Sequence, residues 1–198
     1  MPWRRSAGPA AAMLGGATWS LHAVWLSTRP GGCVGADCRV PGASNRPSED
    51  LAWLLLLSVV ALAVAVTFRA SGASASGRRP FRAGAVLLWA GAVLLAAGLV
   101  VNAVLVGDSP LWWLHDTDSL GRLVPVAGAV LTGVGGLRAG APLRWPGAAL
   151  LVAALVALPF NAQDDRVLLS VPLGLAWLAL GVSWAVRKDV PQAGLSRQ

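Results

Sequence analysis

Charged residues are scarce in this chain. Asp, Glu, Lys and Arg make up 13% of its 198 residues, whereas hydrophobic residues make up 56% and the mean hydropathy is +0.63. A soluble domain has about 25% charged residues, because water must solvate its surface. The composition therefore excludes an ordinary soluble domain and indicates that lipid covers most of the protein surface.

Histidine and cysteine, which often bind transition metals, are also rare, with two of each. Only His22 falls within an apolar run, so a bis-histidine haem site in the membrane would lack its second ligand. The chain contains no G-x-S-x-G, H-E-x-x-H, P-loop or dinucleotide-binding motif. We therefore expect no metal site, and the sequence identifies neither a cofactor nor a catalytic residue.

Long apolar runs are what the chain has in abundance. About 20 helical residues cross the roughly 30 Å of bilayer hydrocarbon, and none of the runs alternates as a transmembrane β-strand does. The sequence predicts an all-α integral membrane protein with six transmembrane helices, arranged as three consecutive antiparallel hairpins. They form one domain over residues 1–190, followed by a short polar tail, 191–198. The predicted helices cover residues 6–28, 51–68, 83–107, 119–138, 145–163 and 167–186.

The first apolar run has an alternative interpretation, because "MPWRR" before an apolar segment is also typical of a signal peptide. The apolar core of a cleaved peptide covers about 7–15 residues. Here the run continues through Trp19, Leu21, Val24 and Leu26, where a mature soluble N-terminus would be polar. We therefore expect this segment to be retained as the first helix.

The basic residues predict the orientation. With both termini in the cytoplasm, eleven arginines and lysines fall inside and five outside, and membrane insertion favours basic residues on the cytoplasmic side. The sequence therefore predicts a multi-pass protein of the bacterial cytoplasmic (inner) membrane with cytoplasmic termini. The net charge of +7 is scattered in short clusters between apolar runs. We accordingly expect a lipid bilayer, and no nucleic acid, as a partner.

The first predicted outer loop contains both cysteines, Cys33 and Cys38. Outside the cytoplasm, two lone cysteines in one short loop indicate a disulfide bond. A copper or zinc site would need further soft ligands, and this loop has neither histidine nor methionine. A redox-active pair is more typically C-x-x-C, whereas this spacing is C-x4-C. We predict a structural disulfide.

Polar residues collect at the predicted outer ends of the helices. The stretches "HDTDSLGR" and "NAQDDR" each place acidic residues before an arginine and a helix that contains proline. With His22 in the outer half of the first helix, they predict an outward-facing polar vestibule. The alternative is a solvated connecting loop in which Asp118 and Arg122, spaced i, i+4, form an ion pair. The candidate residues are His22, Asn102, His115, Asp116, Asp118, Arg122, Asn161, Asp164, Asp165 and Arg166.

Three functions are compatible with such a vestibule. We favour a non-enzymatic membrane accessory or binding protein that contacts a small lipophilic molecule, a lipid or a membrane protein partner. The first alternative is an enzyme acting on a lipid-linked or isoprenoid substrate at the outer leaflet, with paired aspartates holding Mg²⁺ and His115 as a base. The third is a small transporter, although the predicted inner halves of the helices have few polar side chains.

The disulfide and the topology together predict how the cysteines react in intact cells. A membrane-impermeant maleimide should fail to label Cys33 and Cys38 before reduction and should label both after an impermeant reductant is added. In the Cys33→Ala variant, Cys38 should be labelled without reductant. Labelling of the untreated wild type would contradict the disulfide, and failure in both states would contradict the outer location.

Overall fold

The computed structural model describes residues 3–34, 46, 49–104, 116–141 and 143–186. These residues form six α-helices and one short 3₁₀ helix, and none of them lies in a β-strand. The α-helices are α1 Trp3–Ser27, α2 Glu49–Ser71, α3 Ala75–Val104, α4 Asp116–Arg138, α5 Arg144–Ala157 and α6 Val171–Val186. The 3₁₀ helix, Asp165–Ser170, directly precedes α6. The predicted all-α class is confirmed.

Four helical segments within the described part of the chain are long and apolar enough to cross a membrane. They are Leu51–Ser71, Ala75–Val101, Leu120–Arg138 and Asp165–Val186. α1 has 25 residues but includes Thr18, Ser20 and His22, and α5 has only 14 residues. The four candidate spans indicate a multi-pass membrane protein in contact with a lipid bilayer.

The helices pack as a closed ring. Each helix contacts the next one along the chain, and α1 contacts α6. One continuous cluster of buried apolar side chains draws members from all six helices, including Leu62, Leu88 and Trp177. Large apolar side chains such as Leu14 and Val93 are exposed on the outside. An apolar exterior of this kind suits lipid contact.

Backbone-to-backbone contacts hold two helix pairs close together. A Cβ atom added to Gly16 of α1 would lie 2.5 Å from the carbonyl oxygen of Gly174 in α6, and one added to Gly174 would lie 2.6 Å from the oxygen of Gly16. Gly133 of α4 and Gly147 of α5 show the same reciprocity at 2.8 Å. Because no larger residue fits at these distances, glycine sets the spacing of both pairs, as small residues do in membrane helix packing.

Pro159 sets the end of α5, which stops at Ala157 and does not reach the predicted residue 163. Proline has no N–H and cannot donate to the carbonyl four residues back. The N–H of Leu158 bonds instead to a carbonyl three residues back at 3.2 Å, and Phe160 donates to Ala157 O at 3.1 Å. The chain therefore leaves α5 through tight turns rather than continuing as a helix.

The Gly16–Gly174 contact can be tested with a single methyl group. Gly174→Ala should lower the free energy of unfolding by about 1–3 kcal/mol, because the new Cβ collides with rigid backbone. Gly72→Ala is the matched control, since Gly72 follows α2 and an added Cβ there meets no atom within 4 Å. Thermal unfolding in mild detergent measures both. Equal midpoints for the two variants would contradict the close approach of α1 and α6.

Candidate functional site

A small cavity lies at one end of the ring. At this end α1 finishes and α4 begins. Its polar lining residues are His22, Arg122 and Ser170, its aromatic ones are Trp19 and Phe160, and aliphatic side chains of α2, α4 and α5 complete it. The cavity has a volume of about 20 Å³, which is room for about one water molecule. The cavity thus concentrates a few polar groups in a largely apolar enclosure.

His22 is buried in this cavity, with 2% of its surface exposed. Its Nε2 atom has no hydrogen-bond partner among the described residues. Leaving a buried polar atom unsatisfied costs about 1–3 kcal/mol, so such atoms are rare in native proteins and call for an explanation. No described residue thus occupies this nitrogen, so a water molecule or a group of a bound molecule can bond to it.

Arg122 brings a positive charge to the same cavity. It is 9% exposed, and its guanidinium carbon lies 5.9 Å from the centroid of the Phe160 ring, which is within the range of a cation–π interaction. α4 can approach α3 at this level because its Gly121 has no side chain, and a Cβ there would lie 3.0 Å from Leu95. The ring packing therefore places a guanidinium beside an imidazole in mainly apolar surroundings.

The connection between α5 and the 3₁₀ helix, together with the start of that helix, contains four of the candidate residues. The side-chain oxygen of Asn161 accepts from the N–H of Gln163 at 2.9 Å, and Asp164 Oδ1 accepts from the N–H of Arg166 at 2.8 Å, which caps the 3₁₀ helix. Arg166 Nε lies 3.5 Å from Asp164 Oδ2 in a pair whose arginine side chain is 63% exposed. The hydrogen bonds of Asn161 and Asp164 are local and stabilise the turn.

Sequence reasoning missed Arg46, whose side chain is only 2% exposed. Its Nε donates to Pro30 O at 3.2 Å, its Nη1 donates to Asp164 O at 3.1 Å, and its Nη2 lies 3.6 Å from Asp165 Oδ1. Its backbone N–H donates to Gln163 Oε1 at 2.6 Å. We call this set the Arg46 clamp. It fastens the segment after α1 to the turn that follows α5, and no motif or periodicity in the sequence marks it.

The structure describes only some of the residues of the predicted vestibule. It brings His22 and Arg122 to one cavity, and it places the α5–α6 turn immediately after Phe160, which lines that cavity. The predicted disulfide, the Asp118–Arg122 pair and a rim shared by both acidic stretches stay predictions. Outside the described residues lie His115 and Cys38, and the side chains of Asn102, Asp116 and Asp118 are also not described.

Comparison with known proteins adds no relative: no family model, curated protein or solved structure matches the chain. No function can therefore be transferred to it by similarity. Among the described residues, no group of three or more His, Cys, Asp or Glu side chains could hold a metal ion. The chemistry that the described site offers is hydrogen bonding and positive charge.

The Arg46 clamp predicts unequal roles for two arginines at this end of the ring. Arg46→Met should lower the free energy of unfolding by about 2–3 kcal/mol, because it strips buried carbonyl groups of a charged donor. Arg166→Met should cost about 0–1 kcal/mol, as expected for an exposed ion pair. Thermal unfolding in detergent, with limited proteolysis after α1, compares the two. Similar losses in both variants would contradict the clamp.

Proposed function

We propose that the chain spans the bacterial cytoplasmic membrane six times, in three antiparallel hairpins with both termini in the cytoplasm. α1 is about 37 Å long, which exceeds the roughly 30 Å of hydrocarbon, and its exposed side chains include Leu14, Leu21 and Val24. α5 is only about 21 Å long. The turn that follows it continues the chain toward the outer membrane interface. Non-helical backbone is tolerated at this depth when its polar groups bond within the protein, as the Arg46 clamp provides.

We further propose that the protein is a non-enzymatic membrane accessory or binding protein whose outward-facing site is the cavity. One observation carries this proposal: the buried Nε2 of His22 lacks a protein partner among the described residues and lines a cavity together with Arg122. Ligand sites typically combine a mostly apolar enclosure with a few directed polar groups. A small lipophilic molecule, a lipid or a side chain of a membrane protein partner can supply the group that His22 lacks.

The orientation of the site follows from the charge distribution. The cavity lies toward the C-terminal end of α1 and the N-terminal end of α4. In the proposed topology this end faces outward, because eleven of the sixteen basic residues then lie on the cytoplasmic side. A molecule in the outer leaflet or beyond it can therefore reach the cavity.

The His22→Leu variant tests the binding function. Purification in mild detergent, followed by mass spectrometry and an absorption spectrum, should find a lipid, small molecule or polypeptide with the wild type, and about tenfold less of it with the variant. Its thermal midpoint, measured after the bound molecule is removed, should equal or exceed that of the wild type, because an unsatisfied buried atom is gone.

Arg144→Gln is the matched control for this experiment, because Arg144 is exposed at the opposite end of the ring. It should retain the co-purified molecule at the wild-type level. Equal recovery with His22→Leu and the wild type would contradict a binding role for the cavity. A lower stability of His22→Leu without a change in recovery would indicate that His22 serves only packing.

A further inference from the structure

We infer that the cavity takes an anionic oxygen group, a carboxylate or a phosphate, at the head of an amphiphile whose tail lies against α4. This inference rests on the proposed binding function and specifies its ligand class. It follows from the charge of the cavity, from its size, and from the apolar wall on its α4 side.

The charge of the cavity selects an anion. Arg122 lines it, and none of the described lining residues is acidic. A guanidinium has five N–H donors, so Arg122 can bond to an incoming oxygen beside any partner that it already has. Hydrogen bonds from arginine to carboxylate or phosphate are roughly twice as strong as neutral ones. His22 also donates to this group in the tautomer that carries its hydrogen on Nε2.

Phe160 and Trp19 strengthen this selection. The ring of Phe160 lies beside the guanidinium, with 5.9 Å between its centroid and the guanidinium carbon of Arg122, and Trp19 is 5% exposed and lines the same space. Two aromatic walls keep bulk water away, and a charge interaction gains strength where the local dielectric is low. The attraction between an anionic head and the guanidinium is therefore stronger here than it would be in bulk water.

The size of the cavity shows that only the head of a ligand enters. Its volume is about 20 Å³, whereas pockets that enclose whole small molecules measure about 300–1,000 Å³. One oxygen atom of a carboxylate or phosphate, which is about the size of a water molecule, can occupy such a space, but an attached chain cannot. The remainder of the ligand must lie outside the cavity.

Leu123 shows where the remainder lies. It lines the cavity, yet 49% of its surface is exposed on the outside of the ring, and Leu120 one turn earlier is 51% exposed. Both lie in a candidate membrane span, Leu120–Arg138. A tail that leaves the cavity past Leu123 therefore meets an apolar surface in the hydrocarbon region, and the outer leaflet is its source in the proposed topology.

Three probes with the same chain test this inference. Delipidated wild-type protein in an uncharged detergent is titrated with oleate, with oleoyl lysophosphatidate and with oleyl alcohol, and Kd is measured by native mass spectrometry. At least one acid should bind about tenfold or more tightly than the alcohol, as one charged hydrogen bond allows. Preference for both acids supports the shared chemistry, and preference for one identifies carboxylate or phosphate as the source. Acetate and inorganic phosphate, which lack the tail, should bind far more weakly.

Variants of Arg122 test whether this arginine causes the preference for acids over the alcohol. Arg122→Gln should abolish the preference for acids, Arg122→Lys should retain part of it, and Arg166→Gln, which changes an exposed arginine at the same end, should keep all of it. If Arg122→Gln does not fold, the comparison of acids with alcohol on the wild type and on Arg122→Lys still tests the inference. A preference that persists in Arg122→Gln would overturn the inference.

Failure of this inference can be told apart from failure of the binding function. Equal affinities for oleate, lysophosphatidate and oleyl alcohol, together with weaker binding to His22→Leu, would overturn the anionic head and leave the binding function standing. The same holds if none of the three binds while another molecule co-purifies in a His22-dependent manner. If recovery does not depend on His22 and no probe binds, both proposals are wrong.

Discussion

The contact between the backbones of α1 and α6 is the constraint on which the ring depends. Lipid offers no hydrophobic gain for bringing apolar helices together, so close packing and interhelical hydrogen bonds must hold them. Gly16 and Gly174 permit that packing, and Ser20 of α1 adds a hydrogen bond to Val171 O at 3.4 Å. With the ring closed at this contact, His22 lies inside it; without closure, the same side chain would face lipid, where a polar group is costly.

Two buried arginines near the cavity, Arg46 and Arg122, have different surroundings. The guanidinium of Arg46 donates hydrogen bonds to the carbonyl oxygens of Pro30 and Asp164. These bonds hold the chain in place. Arg122 lies against Phe160 at the edge of a space that can hold another molecule. Burial alone does not distinguish the two arginines, whereas the surroundings of each guanidinium do: backbone carbonyls for Arg46, and an aromatic ring at a cavity for Arg122.

The helices could be predicted from the sequence because lipid imposes a simple rule of length and charge on every span. His22 and Arg122 could also be singled out, since ionisable groups near the membrane interior are rare and costly. Their meeting with Phe160 and Ser170 could not, because it depends on a ring closed by helices at opposite ends of the chain. Arg46 escaped prediction for another reason: its main partners are backbone carbonyls, which every residue has and no sequence pattern reveals.

Closure between the first and last helices of the described chain has a consequence for synthesis. Proteins emerge from the ribosome N-terminal part first, so α1 is synthesised well before α6 exists. α2 can cover one side of α1 early, through the hydrogen bond from Ser58 to Gly15 O at 2.6 Å. The face of α1 that contains Gly16 stays uncovered until Gly174 has been synthesised. The cavity is therefore completed last, and a chain whose translation stops early carries α1 with one side uncovered. The cavity therefore forms only in molecules in which the chain has been made as far as Ser170 and α6.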